Sequence, residues 1–291
     1  MSNNTLKPEV FAFFDKDTWT FSYVVKDPTS DACAVVDSVM DINYPSGTIS
    51  FNGADKIIDF IRKHKLKLEW LIETHVHADH MSAAPYIQEK LGGRLGIGDR
   101  ITVVQETFGK VFNAGTEFAR DGSQFDHLFQ DGEHYKLGNV ECQALHTPGH
   151  TPACMTHVMG DAAFVGDTIF MPDQGTARAD FPGGNAATLF QSIQRLYELP
   201  DSTRLFMCHD YPEDREVEYE TTVAAEKAGN RHVSQGVTEA DFVKWREARD
   251  ATLEMPRLIL PSLQVNMRAG HLPPAEDNGL AYLKIPLNAF K

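Results

Sequence analysis

Three imidazoles and a carboxylate fall within six residues, His75-Val-His77-Ala-Asp79-His80, and no other feature restricts the architecture of this chain as strongly. The segment follows an apolar run at 68–72 that reads as a buried strand, and it precedes a run at 81–91 that reads as a helix. In extended backbone, side chains alternate with period two, so His75 and His77 point the same way. Asp79 and His80 come where the chain turns into the helix and can aim at a neighbouring point. Asp79 alone could be a helix cap. Three histidines and an aspartate at this spacing are instead a ligand set for one or two first-row metal ions.

Three further candidates repeat one design, a buried strand that delivers a single ligand at its end. His150 closes the turn His146-Thr-Pro-Gly-His150, Asp167 ends Ala-Phe-Val-Gly166-Asp167, and His209 ends Leu-Phe-Met-Cys-His209. Each alone is ordinary turn chemistry; it is their recurrence that marks them as ligands. The remaining histidines, among them His146, His157 and His232, have no such setting and read as surface or core residues.

Around these ligands, the runs at 10–14, 20–25 and 32–36 read as strands, and 52–66 as a helix with Ile57, Ile58, Phe60 and Ile61 on one face. Strand character returns at 135–137, 140–145, 155–159, 162–165 and 205–208. Asn185 suits the N-cap of a helix bearing Leu189, Ile193 and Leu196, and 101–128 reads as helix and then loop. The segments 215–230 and 238–253 are polar and helix-prone. Strands alternating with helices indicate α/β layers. With no repeat and no linker, we expect a single domain over 1–291, its core at about 10–212 and a helical and irregular extension at about 213–291.

Forty-one acidic against 27 basic side chains leave a formal charge of −14, which argues against nucleic acid or an anionic membrane as partner. No run reaches the ~20 apolar residues of a membrane span, and the first residues, Met1 to Pro8, do not resemble a secretory signal. A cytoplasmic protein is expected. Cys33, Cys142, Cys154 and Cys208 form no CxxC pair and read as small buried hydrophobes.

The set His75-x-His77-x-Asp79-His80, His150, Asp167 and His209 resembles the metallo-β-lactamase superfamily. That resemblance implies an αββα sandwich with the metal site at one edge of two sheets. Two chemistries fit. In a dinuclear zinc hydrolase of the glyoxalase II type, His75, His77 and His150 would hold one metal. Asp79, His80 and His209 would hold the other, Asp167 would bridge, and the substrate would be a thioester or lactone. In a persulfide (sulfur) dioxygenase, His75, His150 and Asp167 would be the catalytic residues and hold one Fe(II) per chain, leaving positions open for O₂ and a persulfide. His77, Asp79, His80 and His209 would then surround the iron as a second layer. Gly175-Thr-Ala-Arg178-Ala-Asp180-Phe181, His209-Asp-Tyr211 and Asn266-Met-Arg268-Ala-Gly270 resemble stretches of the dioxygenase branch, which is the reading adopted. It makes glutathione persulfide, or a similar low-molecular-weight persulfide, the expected substrate, with sulfite and thiol as products. Arg178 and Arg268 are expected to bind its carboxylates and Tyr211 to order it. The resemblance also suggests a homodimer. A metal-stabilised binding module without turnover is disfavoured, because seven candidate ligands exceed the four of a closed structural site.

Overall fold

The computed structural model describes residues 6–289, so most of the opening stretch Met1 to Pro8 lies outside the described residues. In chain order the elements are β1 (Glu9–Asp15), β2 (Thr20–Lys26), β3 (Ala32–Val36), β4 (Val39–Asn43), β5 (Thr48–Ser50), α1 (Asn52–Lys63), β6 (Lys67–Ile72), β7 (Met81–Ser82), α2 (Ala84–Leu91), β8 (Arg94–Gly98), α3 (Ile101–Val111) and β9 (His127–Phe129). There follow β10 (His134–Leu137), β11 (Val140–His146), β12 (Met155–Met159), β13 (Ala162–Phe164), α4 (Ala186–Tyr197), β14 (Arg204–Phe206), β15 (Glu220–Thr222), α5 (Val223–Gly229), α6 (Glu239–Asp250) and α7 (Ile259–Asn266).

The strands form two six-stranded sheets, ordered β1-β2-β3-β6-β8-β9 and β10-β11-β12-β13-β14-β15, and a small third sheet, β5-β4-β7. In the first sheet β3, β6, β8 and β9 run parallel, as crossovers through helices require. The period-two pattern sorts side chains between layers. Phe21, Tyr23 and Val25 of β2 meet Phe164, Met159 and Phe206 of the second sheet, while Val24 faces the other way. On that outer face Val24, Val35 and Leu71 pack against Ile57, Ile58 and Ile61 of α1, Ile87 of α2 and Val104 of α3. The second sheet's outer face, with Ala163, Val165 and Leu205, packs against Leu189, Ile193 and Leu196 of α4 and Phe242 of α6. This is the αββα sandwich the resemblance implies.

Asn185 caps α4 as expected, accepting from the Thr188 N–H at 2.8 Å, and all four cysteines are buried. Two expectations need correction. The helix expected at 81–91 begins only at Ala84, because Met81 and Ser82 pair with Met40 and Val39 as a strand. Within 215–230 only α5 is helical; Arg215 is forked onto Asp210 and Asp173, and β15 pairs with β14. The pieces that went unread, β4, β5, β7, β8, β9, β15 and α7, are eight residues or shorter, too short to carry a period of their own. No described helix is long and apolar enough to cross a membrane.

Asp27, in the turn between β2 and β3, ties the two halves together. It accepts from Thr29 and Ser30 in its own turn and from the Asn139 N–H between β10 and β11. Burial raises its pKa, but these bonds to the carboxylate outweigh burial and hold it at about 2. A carboxyl depressed in the folded state stabilises above its unfolded value near 3.9, and that contribution is lost as pH falls toward 2. Asp27→Asn should therefore be less stable than wild type by on the order of 2 kcal/mol at pH 6, with the gap closing as pH falls through this window. Urea unfolding at pH 6 and pH 3 measures it, and equal stability at pH 6 would refute it.

Candidate metal centre

Every candidate ligand leaves the end of a strand on one edge of the sandwich. His75 to His80 follow β6, His150 closes the turn after β11, Asp167 follows β13 and His209 follows β14. Glycine permits the approach at two points. Gly149 has φ +132° and a Cβ there would lie 2.3 Å from the Leu189 backbone; at Gly166, with φ +51°, it would lie 2.6 Å from Thr74 Oγ1.

Asp167 is shared. Its Oδ2 lies 3.6 Å from His150 Nε2 and 3.9 Å from His75 Nε2, while Oδ1 lies 3.4 Å from His209 Nε2. His209 Nε2 is also 3.3 Å from Asp79 Oδ2. Ligand atoms of His75, His150 and Asp167 lie within 4.8 Å of one another, as do those of His77, Asp79 and His80. His75 Nε2, His77 Nδ1, His80 Nε2, His209 Nε2 and Asp167 Oδ1 are buried without a hydrogen-bond partner. Five unpartnered donor-set atoms converging on one edge are what a metal centre would use. The residues fit a bound metal.

The opposite nitrogen of each imidazole is engaged, which sets the tautomer and the ring angle. Nδ1 of His80, His150 and His209 bonds the carbonyls of Met81, Arg178 and Trp19, at 3.3, 2.8 and 3.0 Å. His75 Nδ1 meets Thr74 Oγ1 at 3.0 Å. His77 is reversed, its Nε2 on Asp37 Oδ1 at 3.0 Å and its Nδ1 free. Asp37 also accepts from Thr74 N–H and Oγ1 at 2.8 Å each. Burial and the neighbouring imidazoles push His75 well down and take His80 to about 4, so both are neutral and able to ligate. Burial would raise Asp79, but His209 and His80 outweigh it and hold the carboxyl at about 2.

Asp37 and Asn266 hold the ligand segment in place, roles that sequence reasoning did not read. Asn266 of α7 donates to the carbonyls of His77 and His80 at 2.8 Å each and accepts from Ser82 N–H. Asp37 follows a buried strand, the same signal that revealed Asp167.

A cavity of about 620 Å³ opens over His150, Asp167, Asp79 and His209. Tyr211 lines it, stacked on His209 with ring planes 14° apart. Arg178 lines it too, but its guanidinium is forked onto Asp180 at 2.6 and 2.7 Å and donates to the Glu254 carbonyl. That leaves it little capacity for a substrate carboxylate. Arg268 is not brought to this cavity. It lies over the Phe118 ring at 4.4 Å and donates to Gln264 O, lining a separate recess with Glu117 and Gln264. The position was expected to face substrate, but α7 turns it toward α3's trailing loop. His232, read as unremarkable, lines the cavity with Arg231 and Arg249. Burial, then these arginines and Arg246, take His232 to about 3. Arg231 and Arg249 have no carboxylate partner among the described residues; they donate only to Asp173 O and Thr252 Oγ1.

The family model for the metallo-beta-lactamase superfamily matches residues 20–209. A "Probable metallo-hydrolase" of Burkholderia pseudomallei is 55% identical, over 97% of this chain and 99% of its own. "Glyoxylase B2" of Dictyostelium discoideum is 44% identical over 99% of each. Human mitochondrial "Persulfide dioxygenase ETHE1" is 26% identical over 88% of this chain and 87% of its own. Among solved structures, ETHE1 from Myxococcus xanthus superposes with a TM-score of 0.72 at 26% identity, covering 90% of this chain and all of that one. The fold and the ligand edge define a metal-dependent enzyme. The chain belongs to the metallo-beta-lactamase superfamily and is an enzyme of that metallo-hydrolase class.

Proposed function

We propose that this protein is a mononuclear iron persulfide dioxygenase, and the observation that carries the reading is the His75, His150 and Asp167 set. Two imidazoles and one carboxylate converge there within 4.8 Å, a facial arrangement suited to Fe(II) with positions left for two further ligands. Iron held by these three residues would supply O₂ activation and electron transfer. The reaction balances as persulfide plus O₂ plus water giving thiol, sulfite and two protons. The mitochondrial persulfide dioxygenase at 26% identity and the superposition on the Myxococcus structure support this reading.

The chain's own residues bind and orient. The cavity admits the thiol carrier from the side of α6, and Arg231 and Arg249 supply the cations first expected from Arg178 and Arg268. A guanidinium without a carboxylate partner is free to take one from substrate, in bidentate form. Tyr211 presents its hydroxyl as a donor at the cavity wall.

A second reading, a dinuclear zinc hydrolase of thioesters or lactones, is favoured by one observation. Asp167 turns its other oxygen toward His209, and His80 and His209 keep free nitrogens, as a bridged second metal would need. The closer relatives named metallo-hydrolase and glyoxylase agree with it. Metal analysis of anaerobically purified protein, coupled to O₂ uptake with glutathione persulfide, separates the two. About one iron per chain with sulfite formed is expected; about two zinc and no O₂ uptake would replace the first reading with the second. In the active protein, replacing both Arg231 and Arg249 by Met should raise KM for glutathione persulfide roughly tenfold or more, and an unchanged KM would remove them from the binding site.

A further inference from the structure

We propose that Asp250 of α6, held in place beside Arg246, is a positioning residue for the metal centre, its acceptor oxygen acting on His150 through the backbone of the segment that covers it. The inference rests on His150 being a metal ligand, and it holds for iron or zinc alike.

His150 Nδ1 donates to the carbonyl of Arg178 at 2.8 Å, and that bond leaves Nε2 as the ligating nitrogen. The carbonyl belongs to residues 175–180, which have no helix or sheet bonds of their own. What holds them is α6 and the turn after it. Asp250 accepts from the Ala179 N–H at 2.9 Å, on the residue next to that carbonyl. Arg246 donates to Thr176 O at 3.1 Å and pairs with Asp250 at 2.5 Å, their side chains 4% and 5% exposed. The Arg178 side chain reaches Glu254 O at 2.7 Å. Packing is tight where the strands of backbone meet: a Cβ on Gly184 would lie 2.5 Å from Ala179 O and 2.9 Å from His150 O. Helix α6 is itself anchored to α4 through Phe242 and Phe190, ring centroids 5.6 Å apart. A buried ion pair is seldom retained for stability alone; here it aims an otherwise irregular carbonyl at a metal ligand.

The test compares two double variants, both lacking the buried charges. Arg246→Met with Asp250→Asn keeps an acceptor for the Ala179 N–H, and Arg246→Met with Asp250→Leu removes it. Metal-free proteins are titrated with Co²⁺, whose visible spectrum reports ligand geometry. The Asn variant should bind within a few-fold of wild type, and the Leu variant should lose about tenfold or more in affinity with an altered spectrum. Equal affinity and spectrum in the two would overturn the proposal. His150→Ala is the reference: Co²⁺ affinity unchanged by it would show instead that the ligand assignment has failed. Hydrogen exchange on the wild-type protein needs no variant to fold. Co²⁺ should slow exchange both in 176–181 and in α6, since coupling is reciprocal; α6 unaffected by the metal would overturn the proposal as well.

Discussion

Asp167→Ala is expected to leave the protein folded, free of metal and without turnover. Its carboxylate faces His75 and His150 with one oxygen and His209 with the other, so its loss breaks the His75, His150 and Asp167 set and any position shared with His209. Removing the metal forfeits several kcal/mol of transition-state stabilisation, a fall in turnover of about a thousandfold or more. His209→Ala makes an informative partner. If one metal is bound by His75, His150 and Asp167, the His209 variant should keep its content; if two are bound, the content should halve. Elemental analysis beside circular dichroism reads both. An Asp167→Ala protein carrying wild-type metal would end the ligand assignment.

The largest loss of stability is expected from Asp37→Ala. Asp37 is 3% exposed and takes two bonds from Thr74 and one from His77. Truncation strands the buried Thr74 N–H, leaves His77 Nε2 only Glu73 at 3.4 Å, and removes the charge that raises His77 against the effect of burial. Breaking a buried pair from one side costs about 3–5 kcal/mol, and the metal should be lost too, because Thr74 and His77 lose their orientation together. Asp37→Asn keeps an acceptor and should cost less. Denaturant unfolding of the metal-free forms gives the numbers; a loss below about 1 kcal/mol for Asp37→Ala would contradict this account of the cluster.

The candidate ligands were legible because they sit in settings that can be read locally, in a His-rich segment or in the turn just after an apolar strand. All seven fall on one edge, as that pattern demanded. The arginines proposed to bind substrate were not legible, because a guanidinium's role depends on what lies beside it in space. Arg178 and Arg268 looked suitable, yet Asp180 engages the first and α7 carries the second to another recess. Arg249 stands in polar helix-prone sequence, and Arg231 and His232 between two such segments, where nothing separates a cavity wall from a solvated face. Asn266 was singled out by resemblance without its role being visible, since the carbonyls it grips lie 189 and 186 residues away in the chain.

The division of ligands between the two halves of the sandwich has a consequence for how the protein comes to hold its metal. His75 to His80 leave the first sheet, whereas His150, Asp167 and His209 leave the second. During synthesis the first group emerges well before its counterparts, so a nascent chain offers an ion only a fragment of the final cage. Capture by His75, His150 and Asp167 must wait until residue 167 has been made and the second sheet has begun to form. The choice among competing ions therefore falls to the finished scaffold, whose ring angles are already set by Trp19, Thr74 and Arg178, and not to the flexible polypeptide, which would follow raw affinity.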